Sequence, residues 1–569
     1  MIKKNIIIPA LLLLCSAYIS AQENKQGSDL KREVTLYNPY KPSISDAKKR
    51  SFLPDMADTL KTKHNFGYNV TAEPFMPVYS VSPLKAAALL PDPLTKLYKS
   101  YINLGLGNNF TPLAELSVTN ERSKKGALGF YGRHFSSNGF VPLLNGKEVF
   151  DGFMDNDVSL FGRRFFGNSQ IEASVDYTGK TRYAYGYDTS YTDYSATKKD
   201  VRLDYNNLGG KVSFSSLTVD SAEFYYDFDL RYNYFRSATD LFEHNLCITG
   251  LGKKEFHGFY VGAAISYDYY KLPVNILNTG EYVFSLSPFL SKNKGPWSFR
   301  IGFEALLDKN MRSGTKVHFY PDLSLQFNVV PSYVSFFASM SGKLERNDPL
   351  KIINENPYVL ADTLYKLPNT DHEVIFSAGL KGNNGVGGNY LLSASYSSVN
   401  DMLLYSNLIS PHGTLNPETG NHFLPSSEDA KILNLHGEMT GVITGKVSYD
   451  WEVNWNKFTM DKAQYAWNKP GWDAKAGFKY NLRNKITAGA GITALGKRWQ
   501  QVRELNPAGK SFTFETPVHL NLNLSAEYRY SKILSVWTKL DNISWNRYNE
   551  WAYYPTQGFL IMLGFSYSL

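Results

Sequence analysis

The chain has 569 residues, with 60 Lys or Arg against 52 Asp or Glu and a formal net charge of +8. This balance leaves no basic stripe of the kind that nucleic-acid binding needs, so a nucleic-acid partner is excluded. Aromatic residues make up 15% of the chain, which excludes a disordered protein, and the 40 Tyr and 35 Phe favour strands with one apolar and one polar face.

Residues 1–21 have the pattern of a secretory signal peptide. Two lysines precede an apolar segment at residues 6–14, and cleavage is predicted between Ala21 and Gln22. No later stretch approaches 18 consecutive apolar residues, so no transmembrane helix is expected after cleavage. Cys247 is then the last cysteine, which excludes an internal disulfide and disfavours a cysteine-based metal site. The pattern predicts an exported protein.

Residues 22–97 are predicted to form a short, extended, proline-rich arm in the periplasm. The segment holds many of the 26 prolines of the chain, and proline removes backbone donors that a compact sheet needs. Apolar and aromatic residues recur between the prolines, which suits a segment that binds something. The barrel lumen and a partner protein remain equal alternatives.

Residues 98–569 repeat one pattern, in which apolar residues alternate with polar or small ones between turn signals. Over residues 447–456, Val, Tyr and Trp alternate with Ser, Asp, Glu and Asn. The segments are longer than the strands of soluble sandwiches, and their apolar face is rich in aromatics. This favours a lipid-facing band around a wet lumen. A soluble sandwich, propeller or β-helix is the alternative, but no blade-length repeat with a fixed motif appears.

Connection lengths alternate between short and long. The tight junctions are Gly167–Ser169, Thr444–Lys446, Arg483–Lys485 and Ser531–Lys532, and the long polar stretches are residues 136–156, 182–199, 345–372, 400–429 and 496–517. Turns on one membrane face and loops on the other give this alternation. At roughly 20 residues for a strand and its connection, the region holds about 22 strands. The fold class predicted is therefore all-β, a transmembrane antiparallel β-barrel.

The last predicted strand is the most specific indication of a barrel. Its apolar residues alternate to the final position: Phe559, Ile561, Leu563, Phe565, Tyr567 and Leu569. A closed barrel pairs its last strand with its first, so a chain that ends inside a strand is predicted to close the barrel there.

The C-terminal region resembles the TonB-dependent receptor family of outer-membrane transporters. The residues that carry the likeness are Leu540-Asp541-Asn542-Ile543, Arg547-Tyr548, Tyr554-Pro555, Gly558 and the closing strand. Phe559 stands where the family usually has Arg, and Leu569 where it usually has an aromatic residue. The resemblance implies a folded plug domain before the barrel, and because only residues 22–97 stand there we expect this plug to be missing or much reduced.

The resemblance implies a 22-stranded barrel in the bacterial outer membrane that takes up a solute, with a TonB-type energy transducer as partner. Glu33, Val34, Thr35 and Leu36 are then a possible energy-coupling box, a strand that the transducer captures by β-augmentation. The same tetrapeptide also fits an ordinary extended arm.

No motif for catalysis or metal binding is present, since the ten His residues show no HExxH spacing and neither a GxSxG elbow nor a P-loop occurs. We therefore expect no enzyme activity and no cofactor. Charges predicted to face the lumen either select a solute or brace the wall: Asp227, Asp229, Arg231, Glu452, Glu527 and Arg529. Tyrosines of a predicted outer loop either stack on a ligand or stiffen the loop: Tyr185, Tyr187, Tyr191 and Tyr194.

Three functions follow as hypotheses. The first is solute uptake with the arm as a reduced gate. The second is a plugless structural or assembly subunit that docks a periplasmic or surface lipoprotein, and the third is a passive porin. All three place the mature chain in outer-membrane lipid, inserted by the barrel-assembly machinery.

Overall fold

The computed structural model describes residues 98–569 apart from residues 121–122, 124, 188–196, 218–223, 239–240, 273–279, 361–366, 386, 410–420, 505–509 and 546. The predicted signal peptide with its cleavage site between Ala21 and Gln22, the arm at residues 22–97 and the possible coupling box Glu33–Leu36 lie outside the described residues.

The described chain is built almost entirely of strands. In chain order they are β1 (Ser100–Gly107), β2 (Thr111–Thr119), β3 (Gly126–Ser137), β4 (Phe140–Pro142), β5 (Glu148–Phe150), β6 (Phe153–Phe166), β7 (Ser169–Tyr183), β8 (Arg202–Ser216), β9 (Tyr225–Ser237), β10 (Phe242–Phe256), β11 (Phe259–Lys271), β12 (Glu281–Lys294), β13 (Trp297–Asn310) and β14 (Gly314–Val330). They continue with β15 (Val334–Glu345), β16 (Thr370–Asn383), β17 (Asn389–Ile409), β18 (Asn421–Ile443), β19 (Val447–Met460), β20 (Trp472–Leu482), β21 (Ile486–Leu495), β22 (Arg498–Glu504), β23 (Ser511–Thr516), β24 (His519–Arg529), β25 (Leu534–Asp541), β26 (Asn549–Trp551), β27 (Tyr554–Pro555) and β28 (Leu560–Ser568). A helix, α1 (Pro349–Glu355), lies between β15 and β16.

Twenty-two of these strands form one closed antiparallel barrel. The pairs β4–β5, β22–β23 and β26–β27 are short hairpins in the connections, and every other strand pairs with its neighbours in the barrel. β28 pairs with β1 from Tyr101 opposite Ser568 to Gly107 opposite Met562, which closes the ring. The predicted all-β, antiparallel barrel of about 22 strands is confirmed.

The apolar side chains of the alternating pattern form the exterior of the barrel. Val453 and Leu563 are 50% and 61% exposed, and Trp451 lies on the same surface. Their polar neighbours in sequence point to the opposite face, because successive side chains of a strand alternate. An exposed apolar exterior with a polar interior is the inverse of a soluble sandwich and is typical of a barrel in lipid.

The two ends of the barrel differ. Thr444 and Gly445 join β18 to β19 with φ of 54° and 68°, the paired positive φ values that a tight two-strand turn requires. Such short turns share one end, here called the turn end, with the start of β1 and the finish of β28. The long connections lie at the opposite end, here called the loop end. No helix among the described residues is long and apolar enough to cross a membrane.

A tryptophan lies across the seam where the barrel closes. Trp537 on β25 is buried, and its indole N–H donates to Asn103 Oδ1 on β1 at 2.7 Å. Its ring lies over Gly564 and Gly105, where a Cβ on Gly105 would come within 2.5 Å of the ring. The two glycines therefore make room for one ring that contacts both closing strands.

Candidate functional site

The connections at the loop end pack into a buried apolar cluster. This cluster, here called the loop cap, comprises Val141, Tyr183, Ala184, Tyr185, Val201, Leu203, Tyr205, Phe235, Leu241, Ile352, Ile353, Val359, Leu367, Leu403, Tyr405, Ile409, Phe423, Val502, Trp551, Ala552 and Tyr554. Rim loops that extend separately into water do not form a shared apolar core. Their shared core holds them together as one unit.

Three tyrosines from three sectors of the barrel meet in the loop cap. Tyr185 follows the fifth barrel strand, Tyr358 the thirteenth and Tyr554 the twenty-first. The rings of Tyr358 and Tyr554 are stacked with centroids 3.7 Å apart, and Tyr185 lies 5.1 Å from Tyr554 and 6.3 Å from Tyr358. Connections separated by eight, eight and six barrel strands can meet only over the opening, so the loop cap crosses the mouth of the barrel.

Hydrogen bonds fasten the same three connections to one another. The Tyr185 hydroxyl donates to Pro555 O at 2.7 Å, and the Tyr205 hydroxyl to Pro357 O at 2.6 Å. Each bond joins parts of the loop end that lie six or more barrel strands apart around the ring, so movement of one connection strains the others.

The prediction of one long loop at residues 400–429 is wrong. β17 continues to Ile409 and β18 begins at Asn421, so that the two strands extend beyond the barrel into the loop cap. β22 adds to this hairpin, with Asn407 opposite Val502 in a parallel pairing. Residues 402–409 are buried on both faces, which explains why their sequence does not alternate as a lipid-facing strand does.

Helix α1 and two ion pairs brace the loop cap against the wall. Asp348 caps the helix by accepting the amide of Lys351 at 2.8 Å. Arg346, just before the helix, forms a bidentate pair with Glu243 on β10 at 2.9 and 3.0 Å. Lys469, between β19 and β20, contacts Glu355 at 2.5 Å. Bidentate Arg–carboxylate pairs fix orientation as well as distance, so the helix is held in place over the lumen.

The interior of the loop cap holds amide atoms without partners among the described residues. Gln500 is fully buried and neither its Nε2 nor its Oε1 has a hydrogen-bond partner, and the same holds for Asn407 Oδ1 and Asn468 Oδ1. A buried polar atom without a partner costs about 1–3 kcal/mol. The closed loop cap is therefore less stable than its apolar packing alone would make it.

Burial also changes the titration of groups in the loop cap. It raises the pKa of Asp151 to about 7, against the opposing charge of Arg547. Burial likewise raises the pKa of Glu550, on hairpin β26–β27, and lowers the pKa of Arg498. In each case removal from water is the main cause, because it disfavours the charged form of the group.

Below the loop cap, the lumen wall of β9–β16 holds a cavity of about 1000 Å³. Its polar lining is rich in hydroxyl groups: Thr249, Ser266, Ser285, Ser287, Ser291, Ser298, Ser324 and Ser339. Small hydroxyl side chains leave room beside the wall and offer both donors and acceptors. The cavity can therefore take a polar solute of considerable size.

Charges on the lumen wall are partly paired across strands. Asp229 accepts from Ser213 and lies 3.2 Å from Lys211 Nζ, and Glu452 lies 3.4 Å from Lys475 Nζ. For these two carboxylates the contacts favour bracing of the wall over selection of a solute. The other lumen-facing charges predicted from the pattern lie on the same face of their strands: Asp227, Arg231, Glu527 and Arg529.

The remaining predicted residues fall in different places. Tyr185 and Tyr187 are buried in or beside the loop cap, which favours stiffening of the loop over stacking on a ligand, while Tyr191 and Tyr194 lie outside the described residues. On β28, Ile561, Leu563 and Phe565 are exposed on the exterior and Tyr567 is the penultimate residue, while Phe559 precedes the strand and Leu569 follows it. Among the described residues, no three His, Cys, Asp or Glu side chains are grouped to hold a metal ion.

Comparison with known proteins finds similarity in fold, without detectable similarity in sequence family. No protein-family model matches the sequence, and no curated protein sequence does. The ferripyoverdine receptor of the outer membrane of Pseudomonas aeruginosa matches with a TM-score of 0.59 and 13% identity, over 84% of this chain and 72% of that one. The barrel has the fold of TonB-dependent outer-membrane receptors.

Two further solved structures of TonB-dependent receptor fold match over the same share of this chain. The FrpB iron transporter from Neisseria meningitidis has a TM-score of 0.62 at 11% identity, with 83% of its own chain covered. The copper transporter OprC has a TM-score of 0.58 at 12% identity, with 81% covered. At these sequence identities the comparison establishes the fold and does not identify a transported solute.

Proposed function

We propose that the chain is a gated solute-uptake barrel of the bacterial outer membrane, with the loop cap as its outer gate. The observation that carries this function is the meeting of Tyr185, Tyr358 and Tyr554 over the mouth. A passive porin needs an open channel, whereas a mouth crossed by a packed core admits solute only when that core opens. The solved structures of similar fold are described as receptors and transporters, which supports solute uptake over passive diffusion.

In the proposed cycle, a solute displaces the loop cap and enters the hydroxyl-lined cavity on the wall of β9–β16. The buried amide of Gln500 and the amide oxygens of Asn407 and Asn468 lower the cost of opening, because water satisfies them once the cap separates. Export by the signal peptide at residues 1–21 and energy coupling through Glu33–Leu36 belong to the same proposal.

Uptake measurements test the function. Cells that carry the protein should accumulate a solute that cells without it do not, and this uptake should stop when the proton-motive force is collapsed. Accumulation that is unchanged by the collapse would contradict energised transport. As a control for the coupling segment, replacement of Thr35 by Pro should abolish uptake, because a proline cannot take part in strand pairing with a transducer.

A second candidate, docking of a surface lipoprotein, has one observation in its favour. Phe140 and Leu144 on hairpin β4–β5 are 57% and 80% exposed at the loop end, beyond the lipid-facing band. Exposed apolar groups in such a place suit a protein partner. Purification in a mild detergent should then recover a stoichiometric partner that Leu144→Ser releases, and recovery of the barrel alone would speak against this candidate.

A further inference from the structure

Four strands at the loop end form a small sheet, here called the rim sheet, that has one covered edge and one open edge. It runs in the order β18, β17, β22 and β23, and it includes β17 only over residues 402–409 and β18 only over residues 421–428. At the β18 edge, Leu360 N donates to Phe423 O at 2.9 Å, and Phe423 N donates to Tyr358 O at 3.1 Å. At the other edge, β23 pairs with β22 and with no further strand in the described part of the chain.

The register of β23 determines which of its backbone groups point outward from this open edge. Glu504 N donates to Lys510 O at 3.0 Å, so these two residues are a hydrogen-bonded pair of the antiparallel ladder. Hydrogen-bonded and non-hydrogen-bonded pairs alternate along such a ladder. Ser511, Thr513 and Glu515 therefore belong to non-hydrogen-bonded pairs, and their N–H and C=O groups point away from β22. Among the described residues, no backbone group pairs with them.

The sequence of β23 does not protect the open edge from pairing with another strand. Edge strands of natural proteins are commonly blunted by proline, lysine or a bulge. β23 has six residues with neither proline nor lysine, its register with β22 is regular, and its single charged residue, Glu515, lies 2.5 Å from Lys497 Nζ. Ser511, Phe512 and Thr513 are exposed. The open edge therefore presents its outward donors and acceptors to another extended backbone.

A cavity adjoins each half of the open edge. The first, of about 400 Å³, is lined by Phe514 and Glu515 together with three tyrosines from other connections: Tyr187, Tyr548 and Tyr553. The second, of about 500 Å³, is lined by Ser511 and Thr513 together with mostly polar side chains, which include Glu428, Lys462, Gln464 and Arg503. A peptide that adds to a sheet edge gains affinity from main-chain hydrogen bonds and specificity from pockets for its alternate side chains. The open edge has both features.

The open edge also lies next to the loop cap. Val502 on β22 is fully buried in the loop cap, and Phe514 on β23 packs against the same core. A strand added to β23 would extend the sheet whose inner strands belong to that core. Binding at the open edge is thus one strand away from the packing that closes the mouth.

We propose that the open edge of β23 binds an extended peptide as an added strand, and that such peptides are the solutes that displace the loop cap. The second part rests on the proposed function. A free peptide fits better than a segment of a folded partner, because the hydroxyl-rich cavity beyond the loop cap offers donors and acceptors to peptide amide groups. The tyrosines of the first cavity favour a peptide that carries an aromatic side chain.

The experiment titrates the full-length protein, in an uncharged detergent, with synthetic peptides by isothermal titration calorimetry. The parent is a capped peptide of about seven residues, one phenylalanine among threonines, which matches the length of β23. Two further peptides carry N-methyl groups on alternate backbone amides, one on each alternate set. Because an added strand pairs through every second residue, one methylated peptide should lose at least about tenfold in affinity, and the other should bind as the parent does. Replacement of the phenylalanine by threonine should weaken binding by about tenfold, since the aromatic cavity is then left unfilled.

A pair of variants tests the same edge from the side of the protein. Thr513→Pro removes an N–H that points outward and keeps the hydrogen bonds between β23 and β22, because proline is tolerated where the N–H of an edge strand faces solvent. It should lower the affinity for the parent peptide by at least about tenfold. The matched control, Thr513→Val, keeps this N–H and the shape of the side chain, and it should bind as the wild type does.

An equal loss for both methylated peptides, or a loss for neither, would overturn the inference without the use of any variant. So would a dimer of the purified protein that Thr513→Pro separates, because the edge would then belong to a second copy. If Thr513→Pro does not form a heat-modifiable barrel, the methylated peptides alone decide. Peptide binding without peptide uptake by cells would contradict only the choice of solute. Energised uptake of another solute without peptide binding would overturn the edge site and leave the proposed transport intact.

Discussion

Replacement of Tyr554 by Ala should open the loop cap. Tyr554 is 1% exposed, stacks on Tyr358 and contacts Tyr185, so its loss removes the ring shared by all three connections. Truncation of a buried aromatic side chain to Ala costs about 3–5 kcal/mol. At 1.4 kcal/mol for each factor of ten, about 4 kcal/mol raises the open fraction of the loop cap by about a thousandfold.

Cys247 provides a native reporter of that opening. It lies on β10 opposite Arg231 and Asp268, on the lumen face, and it is the only cysteine outside the predicted signal peptide. A membrane-impermeant maleimide added to intact cells reaches it only through the mouth. If the loop cap closes faster than the reagent reacts, the labelling rate follows the open fraction.

We expect slow labelling of the wild type and labelling of Tyr554→Ala that is faster by two to three factors of ten. Tyr554→Phe is the matched control: it keeps the ring and loses only the hydroxyl, which donates to Asn421 O at 3.3 Å, so it should change the rate about fivefold or less. Rapid labelling of the wild type, or equal rates for Tyr554→Ala and the wild type, would refute the gate. Cys247→Ser measures the background.

Two further predictions concern proton binding and the seam. Because burial raises the pKa of Asp151 to about 7, the closed loop cap holds a proton that the opened connection releases, so closure weakens as the pH rises from about 4 to 7. The Cys247 labelling rate of the wild type, divided by that of Asp151→Asn, should therefore increase over this range, and a constant ratio would contradict the assignment. Gly564→Ala should destabilise the seam by about 1–3 kcal/mol through a clash with Trp537, seen as a lower temperature for loss of the SDS-resistant band. Gly210→Ala should not, because its Cβ would meet only Ser174 O at 3.9 Å, an ordinary contact distance.

The barrel could be predicted from sequence because its environment imposes a simple rule on every strand. Lipid on one side and water on the other force apolar and polar residues to alternate, and that alternation is visible in residues 447–456 without any structure. The tight turn at Thr444–Lys446 was equally visible, since Gly445 supplies a positive φ.

The loop cap could not be predicted in this way. Its core is assembled from residues far apart in the sequence, such as Tyr185, Tyr358 and Tyr554, and no periodicity links them. Residues 402–409 misled the prediction for a related reason: a segment buried on both faces loses the alternation that identifies a lipid-facing strand. The short apolar run Met402–Tyr405 was the local signal that the strand continued.

Trp537 can reach its buried position only when the barrel has closed. The surface on which its ring rests is made of one glycine from the first strand and one from the last, so it does not exist until the two ends of the chain have met. During insertion the indole is left without its partner Asn103 and without its cover, and both are gained in the final pairing step. The seam, which in an unfinished barrel is the open edge, thereby becomes a joint that is hard to separate again, and sideways escape of a solute or lipid through it is disfavoured.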